Sequence, residues 1–479
     1  MSLSFIENDL SAPKELEFPD NIINEFKELL EAQSFVRIVF GETVEAMCIA
    51  IALSKLLSSK GIPHVVEPSD YSFFYSLLKE KKEQRLIMIQ ALELTPVLEE
   101  FKDSYDFALL IDNYEVLFSD DNVMKKVNQI FLNGLLEHIS LTELVYYFLK
   151  RIFPSEINND VLKLLVTGFV GSWDKNDYKQ KEDRDLLSEC KNIKVFQGLK
   201  IPGRRSLPIH LSLALMVDPV VLGITGDEGA ALDLLISSNV PTLEGDRQRT
   251  PSDLSFEESR SLFSNMIVEF TNKYQDKTPP EIIGPIVEFE DEQDPSLIDA
   301  REFYLMLFAL INSKAYDVAL PLCLGSKSEL TIAEKILAEY RRMLLDKYAE
   351  IISLIEQGPD SHFVYDMRHL ISWHLSKAVM KIFEAKEKVS TPRPAIMLFK
   401  GKDSTVIVGV HLPKGVKQVF PWDKFWEKIG SPHILDIEVN SHNIFLETNS
   451  SYLNEYLEKL FDVLEPYFNL KGENDESSK

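Results

Sequence analysis

The sequence predicts an α/β protein whose first part is a doubly wound parallel sheet. Over the first third of the chain, short runs of apolar and β-branched residues alternate with stretches that have apolar residues at helical spacing. The runs are strand-length and apolar throughout, which is typical of strands buried on both faces. Since parallel strands require crossover connections, this alternation favours a parallel sheet with helices on both sides.

The first strand is expected at residues 35–40, followed by a helix at 42–59 that Gly61 ends. Three further strands are expected at residues 64–68, 85–90 and 107–112. Ligands of such sheets bind at the carboxyl ends of the strands. The residues directly after each run are therefore the candidates for function.

After a mostly helical stretch at 141–171, turn residues become frequent between about 196 and 290, and we expect a compact helical connecting module there. A long helix is predicted at 331–357, with Thr331 and Glu334 as a capping box and Gly358 at its end. Strands at 395–399 and 405–411 and a helix at 451–464, ended by Pro466, predict a second, smaller α/β or α+β domain. The expected domains are 1–195, 196–294 and 295–471, with a disordered tail at 472–479.

The 479-residue chain carries 51 Lys and Arg against 76 Asp and Glu, so its net charge is 51 − 76 = −25. Nucleic-acid binding depends on cations that neutralise phosphates, so this balance disfavours a protein that mainly grips nucleic acid. The spacing of Cys48, Cys190 and Cys323 predicts no metal site and suits a reducing cytoplasm. The acidic start and the absence of a long apolar run predict neither export nor a membrane span.

Several residues have two interpretations. Residues 281–299 contain seven acids and no base, which indicates either a solvated linker or a docking strip for a basic partner. Arg204 and Arg205 could contact a phosphate or form ion pairs in a loop. His369 and His374 lack zinc-site spacing and are expected at the surface or in packing. The aromatic residues Phe420, Trp422, Phe425 and Trp426 are expected in the core, or as an anchor that faces a partner.

The element order and the acids after the strands resemble the DHH phosphoesterase superfamily, in particular its RecJ-like branch. The similarity covers residues 35–465, and further segments resemble archaeal RecJ-like nucleases that associate with the GINS complex. Those segments are Gly203 to His210, Asp218–Pro219, Gly223 to Asp227, Asp299 to Glu302, Cys323 to Gly325, and Tyr340–Arg341. The resemblance implies a DHH-type domain and a DHH-associated domain.

In that family, His-x-Asp-x-Asp-Gly, an Asp after the third strand, Asp-His-His and a later Asp hold two manganese or magnesium ions. Aligned with the pattern, this chain has Gly41, Thr43 and Glu45 for the first His and the two Asp, and Gln90 for the third-strand Asp. It keeps Asp112 but has Asn113 and Tyr114 for the paired histidines, and Ser172 for the last Asp. The resemblance therefore implies a degenerate site, where Glu45 and Asp112 are weak candidates for one residual divalent cation.

The nucleic-acid-binding segment of active relatives is also altered. It corresponds here to Gly430, Ser431, Pro432 and His433, of which His433 matches while the neighbouring glycines do not. His411 replaces an arginine of those relatives, and Asp436 and Glu438 add negative charge where a phosphate backbone would lie. We therefore expect weak or no direct binding of single-stranded DNA.

A chain that keeps the scaffold but loses the ligands resembles the cell division control protein 45-like members of the family. This resemblance implies a catalytically inactive, nucleoid-associated cytoplasmic protein without a cofactor, which acts as a scaffold of the archaeal replicative helicase complex and binds GINS and, through it, the MCM helicase. The connecting module and the strip at 281–299 are the expected interfaces. The alternatives are a divergent metal-dependent single-strand exonuclease that uses Glu45, Asp112 and Asp174, and a non-catalytic DNA-binding module.

Overall fold

The computed structural model describes residues 18–80, 84–91, 94–112, 123, 126–131, 140–172, 185–216, 220–273, 282–359, 363–387, 394–401, 404–413, 424–425, 428, 434–439 and 443–468. The chain forms two compact units. The first comprises Met1–Glu67, Lys81–Gln90 and Leu98–Ile193, and the second comprises Pro68–Glu80, Ala91–Val97 and Lys194–Lys479.

The first unit is built on a five-stranded sheet, in the order β2-β1-β3-β4-β5. Its strands are β1 (Val36–Phe40), β2 (His64–Pro68), β3 (Gln84–Ile89), β4 (Tyr105–Asp112) and β5 (Val127–Phe131). The pairs β1/β3, β3/β4 and β4/β5 are parallel, which confirms the predicted sheet. The pattern missed β5, because its polar residues Asn128 and Gln129 interrupt the apolar run.

Helices cover this sheet. They are α1 (Asp20–Glu31), α2 (Val44–Ser59), α5 (Leu141–Ile152), α6 (Asn159–Ser172) and α7 (Asp185–Glu189). Nearly every residue of α2 is buried, which its continuous apolar sequence predicts. Of the two other helices in this part of the chain, α3 (Tyr71–Glu80) belongs to the second unit, and the boundary between the units falls within α4 (Thr95–Glu100).

The second unit begins with a small helical module. Its elements are β6 (Ile193–Leu199), α8 (Ile209–Ala214), α9 (Glu228–Ser237), the hairpin β7 (Leu243–Glu244) and β8 (Arg247–Gln248), α10 (Phe256–Lys273) and β9 (Ile283–Phe289). A core of aliphatic side chains from these elements holds the module together, and β6 pairs with β9. The acidic strip is therefore not a linker, since it forms β9 and α11 (Pro295–Ile298), with Glu288 and Asp299 buried.

The rest of the second unit consists of helices packed with a mixed five-stranded sheet, in the order β10-β11-β12-β14-β13. The helices are α12 (Ala300–Asn312), α13 (Tyr316–Cys323), α14 (Leu330–Gln357), α15 (Ser376–Glu387) and α16 (Leu453–Phe468). The strands are β10 (Val364–Asp366), β11 (Ala395–Lys400), β12 (Thr405–His411), β13 (Ile434–Val439) and β14 (Asn443–Asn449). The pair β10/β11 is parallel and the other pairs are antiparallel.

Two predicted helix ends were wrong. Helix α14 starts at Leu330 after an N-cap at Glu329, so Thr331 lies inside the first turn and forms no capping box. Glu334 instead accepts a hydrogen bond from Ser296 Oγ at 2.7 Å. Pro466 lies inside α16 rather than at its end. The stripe of Tyr456, Leu460, Val463 and Leu464 packs into the sheet core, and this burial stabilises the helix through the proline.

The three cysteines are buried and form no disulfide. Among the described residues, no helix is both long and apolar enough to cross a bilayer. The domain boundaries at 195, 294 and 471 stay predictions.

Candidate functional site

Gly41 follows β1 where the backbone passes very close to the end of β3. Its N–H donates to the carbonyl of Ile89 at 2.8 Å. A Cβ atom at this position would lie 1.9 Å from the carbonyl oxygen of Gln90, so only glycine fits without a shift of the backbone. Gly41, which the resemblance aligns with the first ligand of the DHH pattern, therefore brings two chain segments together.

Thr43 is the N-cap of α2. Its Oγ1 accepts a hydrogen bond from the Ala46 N–H at 3.0 Å and donates to Gln90 Oε1 at 2.5 Å. Both hydrogen-bonding functions of the hydroxyl are thus used within the protein. Gln90 has a positive φ of 49° and donates its own N–H to the carbonyl of Ile111 at 2.9 Å. This backbone turn directs the Gln90 side chain towards α2.

Glu45 lies in the first turn of α2. Its Oε1 accepts from the backbone N–H of Thr142 at 3.1 Å and from the Thr142 hydroxyl at 2.8 Å. Its Oε2 accepts from Gln90 Nε2 at 3.3 Å. Glu45 therefore interacts with the N-terminal turns of both α2 and α5, where helix dipoles stabilise a negative charge.

Thr43, Glu45, Gln90 and Thr142 form a continuous chain of hydrogen bonds, which we call the cleft network. Gly168 of α6 closes one side of it, since a Cβ there would lie 3.3 Å from Thr142 Oγ1 and 3.5 Å from Glu45 Cα. No pattern in the sequence marks Thr142 as part of this network. Ser140 and Glu143 form a capping box that marks the start of α5, but no local pattern indicates a partner 97 positions away.

Asp112 is the last residue of β4, lies opposite Phe131 of β5, and is 5% exposed. Ser172 is the last residue of α6. Asn113, Tyr114 and Asp174, and the segment Gly430, Ser431, Pro432 and His433, lie outside the described residues. The structure thus brings Gly41, Thr43, Glu45 and Gln90 together and places Asp112 at the carboxyl edge of the same sheet.

The described part of this cleft does not fit a pair of divalent cations. Such cations require several oxygen lone pairs each. Three donors already surround the Glu45 carboxylate, and Gln90 turns an N–H donor towards it. Across the described residues, no group of three or more His, Cys, Asp or Glu side chains could hold a metal.

His411, which the resemblance aligns with an arginine of active relatives, is buried in the second unit. Its Nδ1 lies 2.9 Å from Asn443 Oδ1, and Asn443 Nδ2 donates to Glu384 Oε1 at 2.8 Å. Phe383 packs edge-on against the imidazole ring. The histidine therefore stabilises the packing of α15 on β12 and β14 and is not exposed to a ligand.

A second polar cluster joins several of the segments that carry the family resemblance. Glu302, 2% exposed, accepts from Arg341 Nη2 at 2.7 and 2.8 Å, from the Gly203 N–H at 2.8 Å and from Ser206 Oγ at 2.8 Å. We call Arg204, Arg205, Glu288, Asp299, Glu302 and Arg341 the arginine–carboxylate cluster. Of the two roles considered for the adjacent arginines, the structure shows the ion pairs.

Arg205 makes two hydrogen bonds to Glu288, at 2.9 and 3.3 Å, and these bonds raise the pKa of its guanidinium. Arg204 lies 3.5 Å from Asp299 and 3.9 Å from Glu288. Burial raises the pKa of Asp299 to about 6, against the attraction of Arg204. The Asp299 carboxylate also caps α12 by accepting from the N–H groups of Arg301 and Glu302.

No protein-family model matches the sequence, and no curated protein resembles it in sequence. Solved structures do resemble the chain. The crystal structure of CDC45 from Entamoeba histolytica aligns with a TM-score of 0.63 at 14% identity, over 93% of this chain and 98% of that one. The chain has the CDC45 fold.

Two RecJ structures align less well. An exonuclease RecJ bound to manganese gives a TM-score of 0.49 at 10% identity, over 96% of this chain and 97% of that one. RecJ from Thermus thermophilus in complex with Mn²⁺ gives 0.47 at 9% identity, over 95% of this chain and 56% of that one. The CDC45 alignment confirms the fold expected from the resemblance.

Proposed function

We propose that the chain is a non-catalytic, RecJ-like scaffold subunit of an archaeal replicative helicase complex, and that it binds GINS and, through GINS, the MCM helicase. The observation that carries this proposal is the CDC45 fold along nearly the whole of both chains. A scaffold requires that overall shape but needs no metal ligands.

The cleft network supports the non-catalytic part of the proposal. A two-metal phosphoesterase needs carboxylates that are open to two cations about 3.5–4 Å apart. Here Glu45 is bound by Thr142 and Gln90, and Thr43 and Gln90 are bound to each other. The hydrogen bonds of these side chains connect the ends of β1 and β3 with α2 and α5, so they stabilise the fold. The proposal includes no cofactor.

The binding test uses the purified full-length chain with GINS and MCM from the same organism. On size-exclusion chromatography, we expect the chain to co-elute with GINS at equal stoichiometry. MCM should join this complex only when GINS is present. Separate elution of the chain and GINS at micromolar concentrations would overturn the proposal.

The competing activity is a metal-dependent single-strand exonuclease. Asp112 is the observation in its favour, because it is a buried carboxylate at the carboxyl edge of the sheet. A 5′- or 3′-labelled single strand should stay intact with Mn²⁺ and the purified chain. Cleavage that disappears in Asp112→Ala but persists in the surface variant Asp106→Ala would favour the enzyme, and it would exclude a contaminating nuclease.

A further inference from the structure

Exposed apolar side chains concentrate on the helical module of the second unit. Ten large apolar side chains are exposed among the described residues, and half of them lie between positions 232 and 268. They are Leu232, Ile236, Leu243, Phe256 and Val268, which we call the module surface. Ile236 and Phe256 are 72% and 78% exposed, so these two side chains are almost fully in water. Contiguous exposed apolar groups are typical of protein interfaces.

Part of this surface lies where α9 meets α10. Leu232 and Ile236 are one helical turn apart on α9, while Leu234 and Leu235 of the same helix are buried. Asn265 of α10 donates to the carbonyl of Ser237 at 3.1 Å. Val268 follows Asn265 by one turn of α10, so it lies near Ile236 at the end of α9.

The other part lies at the base of the β7–β8 hairpin. Arg249 connects this hairpin to α10, since it donates to the carbonyl of Pro241 at 3.2 Å and to Glu258 at 2.7 and 2.8 Å. Leu243 is two residues from Pro241, and Phe256 is two residues from Glu258. The Arg249 guanidinium lowers the pKa of Glu258 to about 2, so this connection stays ionised at neutral pH. The backbone segments that carry the exposed Leu243 and Phe256 are therefore held together by Arg249.

The charge around the module surface is negative. Residues 206–246 contain six acids and neither Lys nor Arg. Over residues 228–273 there are four bases and eight acids, a difference of 4 − 8 = −4. Arg247 and Arg249 are held by Glu244, Asp253 and Glu258 within the module. Among residues 228–273, all of which the structure describes, five exposed acids form no ion pair: Glu228, Asp233, Asp246, Glu257 and Glu269.

We propose that the module surface binds a basic amphipathic helix of a partner protein. Its apolar side chains would pack on Ile236, Leu232 and Phe256, and its Lys and Arg side chains would meet the acids of α9 and α10. Phe256 to Val268 spans about 18 Å of helix, which matches three to four turns of a partner. This inference deepens the proposed function and rests on it only for the identity of the protein that carries the helix.

The test uses the full-length chain and a fluorescein-labelled peptide of about 18 residues, roughly 27 Å long as a helix, with Leu on one face and Lys on the other. Fluorescence anisotropy should show binding that weakens as salt is added, because the charges involved are exposed. Ile236→Ser with Phe256→Ser should weaken binding at least tenfold. Leu324→Ser with Ile332→Ser should have no effect, since Leu324 and Ile332 are 50% and 49% exposed outside this surface.

Three outcomes would overturn the inference. They are the absence of binding, equal binding of a peptide with Glu in place of Lys, and equal loss in the two double variants. Since the peptide contains neither GINS nor MCM, its binding does not depend on the proposed function. If GINS co-elutes equally with the Ile236→Ser/Phe256→Ser variant and the peptide does not bind, this inference fails while the proposed function stands.

Discussion

The cleft network and the arginine–carboxylate cluster both stabilise carboxylates that are withdrawn from water, but they do so with different partner groups. Glu45 in the cleft network is half-buried and Glu302 in the cluster is buried, and a carboxylate withdrawn from water must be paired or hydrogen-bonded. In the cleft, neutral donors from Thr142 and Gln90 satisfy Glu45. In the cluster, Arg204, Arg205 and Arg341 balance three carboxylates. The Glu45 carboxylate is thus held by hydrogen bonds from uncharged groups, while arginines hold the carboxylates of the second unit in ion pairs.

We expect the largest effect from removing a charge from the cluster. Glu302→Ala leaves Arg341, whose side chain is 11% exposed, without its partner, and it also removes the acceptor for Gly203 and Ser206. Breaking such a buried pair costs about 3–5 kcal/mol of unfolding free energy. Urea denaturation measures this loss. The exposed pair Lys347–Glu350 is the control, and Glu350→Ala should cost less than about 1 kcal/mol. Equal midpoints for the two variants would contradict the assigned role of the cluster.

The second effect depends on pH. The pKa of Asp299 rises from 3.8 to about 6 on folding, so between these values the folded state binds more protons than the unfolded state. The contribution of Asp299 to stability therefore falls as the pH rises from about 4 to about 6. At 1.36 kcal/mol per pKa unit, the total change is about 3 kcal/mol.

Asp299→Asn should remove this dependence, because asparagine keeps the N-cap of α12 without titrating. Urea denaturation of both proteins at pH 4.5 and pH 7 measures it. The wild type should lose stability relative to the variant at the higher pH. A constant difference across this range would show that the carboxylate is already ionised at pH 4.5.

A smaller effect is expected in the cleft. Glu45→Ala leaves the Thr142 hydroxyl and N–H and the Gln90 amide without their acceptor, at a cost of about 1–3 kcal/mol. Glu45→Gln should cost less, since one oxygen can still accept from Thr142. Thermal or urea unfolding checks the order. Glu28→Ala, on an exposed position of α1, provides the control with no expected change.

The smallest expected effect is that of divalent cations on the melting temperature. A ligand stabilises a protein only if it binds the folded state. Because donors already surround Glu45, millimolar Mn²⁺ or Mg²⁺ should shift the melting temperature by less than about 1 °C. A shift of several degrees that Asp112→Asn abolishes would mean that the cleft binds a cation, and it would remove the contrast between the two clusters.

The parallel sheet and helix α2 could be predicted because their signals are local. Strand β2 has its predicted bounds, and β1, β3 and β4 differ from theirs by one or two residues. The structure of the acidic strip at 281–299 could not be predicted from local signals. Glu288 and Asp299 are acids in a charged segment, and only the position of Arg204 and Arg205 explains why they are buried. The same holds for Glu334, whose partner Ser296 lies 38 residues away.

The sequence by itself determined most of the strand and helix pattern and the negative charge, because both depend on residue type and near-neighbour spacing. Only the tertiary structure decided where the remaining polar groups point. Thr142 reaches Glu45 across 97 residues, and Arg341 reaches Glu302 across 39. Hydrogen bonds and ion pairs act over about 3 Å in space, whatever the separation along the chain, so these partners could be identified only in the folded structure.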